Sequence, residues 1–186
     1  MAAELPQDVE LISSFVNTLE QNESRPDDEG LDSPEALRSW MNAHGIHPGS
    51  ALDAEDVRRA IEFREAIRPL LGANNGRSLD RGTLDVLRDA AAAGLIRVDI
   101  DADGRATPEP AERGVAALFA RVLAAVADAQ AAGTWQRLKA CAAESCQWAF
   151  YDSSRNRSRT WCSMEVCGNR AKTRAYRARL SSSNPA

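Results

Sequence analysis

Apolar residues recur every three to four positions over most of the chain before Gly133, and that period predicts helices. Val9, Ile12, Val16 and Leu19 share one face, with Leu11 and Phe15 beside them. Ser33-Pro34 supplies an N-cap and a first-turn proline for a helix carrying Leu37, Trp40 and Met41. Asp53 can cap the next, with Val57, Ile61, Phe63, Ile67 and Leu70; Pro69 is expected to kink or end it. Leu84, Leu87 and Ala91 mark a shorter helix, and Val115, Leu118, Phe119, Val122 and Val126 mark a strong one that stops at Gly133. One segment changes period. Ile96, Val98 and Ile100 alternate with Arg97 and Asp99, as in a half-buried strand, and Asp103-Gly104 would turn the chain toward a partner strand at Arg105–Thr107.

Beyond Gly133 the pattern shortens. Trp148–Tyr151 reads as a strand, Asp152–Asn156 as a turn, Arg159–Trp161 as a return, and Gly168–Leu180 as a helix without proline. Here lie all four cysteines, as Cys141/Cys146 and Cys162/Cys167, with four residues inside each pair. Two chelating loops of thiolates suit one tetrahedral zinc, and four sulfurs leave no open position, so the ion is structural. The alternative of two disulfides needs an oxidising compartment. The N-terminal residues have acids where a secretion signal needs a basic start and no apolar core run, and nothing approaches the ~18 apolar residues of a membrane span. A cytoplasmic, zinc-binding chain without membrane association is expected.

Net charge is −4, but it is divided. From Arg137 onward there are 10 basic and 3 acidic residues, a local net of +7. That asymmetry points to nucleic acid. On a helix from Gly168, Arg170, Arg174 and Arg177 share a face, with Lys172 and Arg179 at its sides and Tyr176 available for stacking. Arg155, Arg157 and Arg159 would alternate on the hairpin return. Asn169 and Arg170 follow a ligand directly, so they either contact DNA or brace the zinc loops. Trp148, Phe150 and Trp161 are expected to form the small core of this module.

Two other constellations carry little. Asp99, Asp101, Asp103 and Gly104 fit the opening of a calcium loop, but its twelfth position is Pro110. The only histidines, His44 and His47, sit on a Gly/Pro-flanked loop, and no phosphate loop or nucleophile elbow is present, so no enzymatic activity is expected.

The stretch Cys141–Leu180 resembles the CGNR zinc finger, spelled by Cys167-Gly168-Asn169-Arg170 with Lys172, Phe150, Asp152, Ser154-Arg155-Asn156 and Trp161-Cys162-Ser163-Met164. Thr160 stands where that family usually has a second arginine. The preceding part resembles the ABATE domain, through Phe15-Val16-Asn17-Thr18, then Leu37, Trp40 and Gly45, then Phe63-Arg64-Glu65-Ala66-Ile67. The resemblance implies a stress-induced transcription regulator.

The expected architecture is a mainly α domain with a small β-hairpin (α+β) over 1–133, the hairpin near 95–107. A treble-clef-like zinc module over 134–180 follows, then a disordered tail over 181–186. The expected function is a zinc-containing, DNA-binding transcription regulator. Double-stranded DNA is its partner, and the N-terminal domain senses a small-molecule effector or mediates homodimer formation. The alternative is a protein-interaction module whose basic finger docks a protein.

Overall fold

The computed structural model describes residues 5–21 and 28–182. Six α-helices and three two-stranded antiparallel ribbons follow one another along them. Helix α1 (Gln7–Val16) buries Val9, Leu11, Ile12, Phe15 and Val16. It ends one turn earlier than the apolar period suggests. Leu19 belongs instead to the short strand β1 (Leu19–Glu20), paired with β2 (Asp28–Glu29). The break has a local cause: the Thr18 hydroxyl bonds back to the Phe15 carbonyl, and the Asn17 side chain is taken by another segment.

Helix α2 (Pro34–Ala43) begins at the expected cap, where the Ser33 side chain accepts the Ala36 N–H. Helix α3 (Ala54–Ala73) begins with a full capping box: Asp53 accepts from Glu55 and Asp56, and Asp56 reaches back to the Asp53 N–H. Pro69 neither ends nor breaks α3, which continues to Ala73. The proline forfeits the bond to the Glu65 carbonyl. Burial of Ile67 before it and Leu71 after it holds the helix together. Helix α4 (Arg81–Ala93) buries Leu87 and Ala90, while Ala91 faces solvent. Helix α5 (Val115–Ala131) is the most deeply buried, with Val115, Leu118, Phe119, Val122 and Val126 all inside.

Helices α1, α3, α4 and α5 pack on one another around a single core. Its centre is a chain of aromatic rings from three helices: Phe15–Phe63 at 5.8 Å and Phe63–Phe119 at 4.7 Å, with Trp40 of α2 5.2 Å from Phe15. Offset, tilted rings at such spacings are the favoured packing of aromatic quadrupoles. Arg64 is also inside, 1% exposed. Its guanidinium forks onto Glu29 (2.6 and 2.7 Å) and meets Glu65 and Thr18, which ties β2 and the turn after α1 to α3.

The hairpin consists of β3 (Ile96–Ile100) and β4 (Ala106–Pro110), in register Ile96↔Pro110 to Ile100↔Ala106. It is not half-buried as the alternation suggests: β3 is exposed along its whole length. The acidic turn is used internally. Asp101 accepts the N–H groups of Asp103 and Arg105, and Gly104 takes a positive φ of 76°. That accounts for the calcium-like spacing without a cation. His44 is likewise committed, between the Ser14 hydroxyl (2.8 Å) and the Trp40 carbonyl (2.7 Å), and stacked on the Trp40 ring.

A 3-10 turn (Trp135–Arg137) leads into β5 (Leu138–Ala140), which pairs with β6 (Ala149–Tyr151). A π-turn (Met164–Gly168) runs into α6 (Asn169–Ser182). Ser181 and Ser182, expected in the tail, close α6; Ser183–Ala186 lie outside the described residues. Among the described residues no helix is long and apolar enough to cross a membrane.

Candidate metal centre and basic surface

The four sulfurs converge from three pieces of backbone. Cys141 and Cys146 lie on the loop joining β5 to β6, Cys162 on the loop after β6, and Cys167 within the π-turn that opens α6. The first loop is closed by Cys146 and Gln147 N–H groups donating to the Ala143 carbonyl. Gln147 then takes a left-handed backbone, φ 46°, to reverse the chain. Ser163 caps the π-turn by accepting the Val166 N–H.

All four Sγ atoms lie within 4.8 Å of one another, with Cys146–Cys162 at 3.6 Å and Cys162–Cys167 at 3.8 Å. A tetrahedron of thiolates at ~2.3 Å from zinc has edges of about 3.8 Å. The spacing fits one zinc ion held by four sulfurs, and it is too long for a disulfide. Cys141 and Cys167 are buried, Cys146 and Cys162 partly so. Bonding from Cys146 and Cys162 pulls the Cys141 thiol down to about 2. The same bond with Cys141 pushes Cys162 up, and burial pushes Cys167 up to about 12. Four thiolates so close repel one another, and a divalent cation at their centre removes that repulsion.

The expected return strand at Arg159–Trp161 does not form; β6 pairs with β5 instead, and residues 152–163 make an irregular loop. The physical reason is a buried ion pair. Lys139 of β5 donates to the Asp152 carboxylate at 2.8 Å and to the carbonyls of Arg157 (2.6 Å) and Arg159 (3.0 Å). Asp152 also accepts from the Ser154 N–H and hydroxyl and the Arg159 N–H. Burial works against the Asp152 charge, but the bonds from Lys139 and Ser154 hold its carboxyl down at about 2. The loop is wound around this pair, with Arg157 at φ 51°, so Arg155, Arg157 and Arg159 do not line one side of a strand. Asp152 and Ser154 stand among the residues that carry the finger resemblance, but nothing in the sequence marks Lys139 as the buried partner of Asp152.

The basic residues divide by position. Arg159 lies 5.2 Å over the Phe150 ring and donates to the Cys162 carbonyl, bracing the third ligand. Arg137 holds the Asp152 and Ser154 carbonyls. Asn169 donates to the Glu165 carbonyl within the π-turn, and Arg170 is partly buried against the cysteine loops. Arg155, Arg157, Lys172, Arg174, Arg177 and Arg179 are exposed. Arg170, Arg174 and Arg177 line one groove along α6 with Asn169 and Thr173, about 560 Å³ in volume. Phe150 and Trp161 pack against the cysteines, as expected; Trp148 lines a cleft beside them.

The metal module is clamped to the helical body. Asn17 pairs with Ala149 of β6 through both amide atoms (3.0 and 2.8 Å), as a neighbouring strand would. Arg68 holds the Gln147 carbonyl, Arg77 the Ala142 carbonyl, and Asn74 the carbonyls of Trp135 and Leu138. Asn75 bridges the Ala140 and Thr160 carbonyls, just ahead of the first and the third ligands. Sequence reading missed all five clamps, because single polar side chains carry no period.

Two family models match this chain. ABATE, described as "Putative stress-induced transcription regulator", matches residues 10–135. The CGNR zinc finger matches residues 137–180. No curated protein matches it.

Proposed function

Since this chain belongs to the ABATE family and carries a CGNR zinc finger behind that domain, we propose that it is a transcription regulator that grips double-stranded DNA through the finger. The observation that carries the reading is α6. It is a basic helix, anchored at its first turn by a zinc ligand, with exposed arginines along one groove of an otherwise acidic chain. Arg174, Arg177, Lys172 and Arg179 contact phosphates, where arginine can form two parallel hydrogen bonds. Arg155 and Arg157, on the loop around Asp152, extend the positive surface. Asn169 and Arg159 brace the segments that carry the ligands, and Asn169 and Arg170 also line the groove, where they join the contact. In this reading the zinc is structural and the chain performs no catalysis. The body senses an effector; a cleft of about 400 Å³ between the hairpin and α5, with His47, Arg97, Glu109, Arg113 and Arg121 on its walls, supports that arm.

The test is duplex binding as a function of salt. Neutralising ~4–6 phosphates gives a log–log slope near −0.9 per phosphate. Replacing Arg174 and Arg177 with alanine should flatten the slope by about two phosphates' worth. Salt-independent affinity, or no binding at low salt, overturns the reading. A protein partner that protects α6 in place of DNA would establish the finger as a protein-docking module.

A further inference from the structure

The β3–β4 ribbon has one closed edge and one open edge. Hydrogen bonds at its two ends set the phase of the ladder: the Asp101 N–H donates to Arg105 (3.1 Å) and the Ala111 N–H to Leu95 (2.9 Å). Alternation then makes Arg97/Glu109 and Asp99/Thr107 the bonded pairs. The backbone groups of 96, 98 and 100 on β3, and of 106, 108 and 110 on β4, therefore aim outward. On β4 two of those three residues are Pro108 and Pro110, which have no N–H, so that edge cannot accept another strand. On β3 all three are Ile96, Val98 and Ile100, with donors and acceptors intact. β4 rests on α5, and β3 is the outer strand.

The same three β3 residues are apolar and exposed: Ile96 46%, Val98 66% and Ile100 67%. A lone two-stranded ribbon is marginal in water, and proteins protect their open edges by charge, proline or cover. Here β4 has proline, whereas β3 has neither proline nor cover, and its two charges, Arg97 and Asp99, are of opposite sign.

We propose that β3 pairs antiparallel with β3 of a second copy of this chain about a two-fold axis at Val98, giving a four-stranded sheet across a homodimer. The register is self-complementary. Val98 opposes Val98, Ile96 opposes Ile100, and every outward N–H and C=O of the three finds a partner. Arg97 opposes Asp99 twice. These fall at the non-hydrogen-bonded pairs, where side chains stand closest and opposite charges stabilise the ladder. Other registers fail: an axis at Ile100 sets Asp99 against Asp101, and one at Ile96 sets Arg97 against Leu95. An isologous contact of this kind closes at two copies.

Sedimentation equilibrium of the zinc-loaded full chain across the micromolar range tests this. The native chain should form dimers. Asp99→Arg sets arginines against each other, Arg97→Asp sets acids against each other, and each should raise the dimer dissociation constant by about tenfold or more. An equimolar mixture of the two variants restores both opposite-charge pairs and should form the heterodimer. Val98→Pro keeps both charges and removes an N–H that the hairpin itself does not use; it too should weaken the dimer. A monomeric native chain, as expected if a different protein covers β3, overturns the proposal. So do single variants that dimerise like the native chain, or a mixture that stays monomeric while both variants fold.

Discussion

At Asp152 one carboxylate organises the whole loop between the second and third zinc ligands. Asp152→Ala removes the partner of a Lys139 ammonium that is 3% exposed and leaves it among carbonyls. An uncompensated buried charge costs about 3–5 kcal/mol, so urea unfolding of the zinc-loaded variant should show a loss of that order. Glu29 gives a pH dependence of known sign. Burial works upward on its carboxyl, but the Arg64 fork and the Leu31 N–H hold it below its ordinary 4.5. The stability it contributes is full above that ordinary value and is lost as pH falls through the lowered one. The gap in urea midpoint between the native chain and Glu29→Gln should therefore be widest near neutral pH and close in acid. Glu29 and Arg64 show why pattern reading stops short of such pairs. They meet across 35 residues of sequence, and an arginine between Phe63 and Ile67 carries no local mark of burial.

Element boundaries were legible where the chemistry is local. Ser33 and Asp53 cap their helices because a side chain and an N–H two or three residues on are all that a cap needs. The same locality misleads at Pro69, where packing on both sides overrides a breaker, and at β3, where alternation is real but no element covers the apolar face. The return strand expected at Arg159–Trp161 was lost to Lys139, which takes the Arg157 and Arg159 carbonyls that a ladder would have used. Helix crossings are equally silent in a single sequence. At the end of α4, a Cβ on Gly94 would lie 2.6 Å from the Ala120 nitrogen and 3.0 Å from the Phe119 carbonyl carbon. Backbone cannot yield there as a side chain tip can. Gly94→Ala should destabilise the chain by about 1–3 kcal/mol, seen as a lower Tm with zinc content unchanged.

On the scale of the molecule, the metal site was legible from four cysteines and their spacing, and the attachment of that site to the body was not. Asn17, Arg68, Asn74, Asn75 and Arg77 reach from the body to backbone atoms of the metal module. Elemental analysis should find one zinc per chain, lost on replacing any cysteine. Asn75→Ala, which touches no sulfur, should weaken zinc binding by about tenfold in a competition with a chromogenic chelator. Linkage is reciprocal: whatever the body adds to zinc affinity, zinc adds to the body. The clamps thus couple metal supply to the stability of the helical body. Where zinc is scarce, the helical body should lose that shared increment along with the finger, and limited proteolysis should cut the zinc-stripped chain faster than the zinc-loaded one.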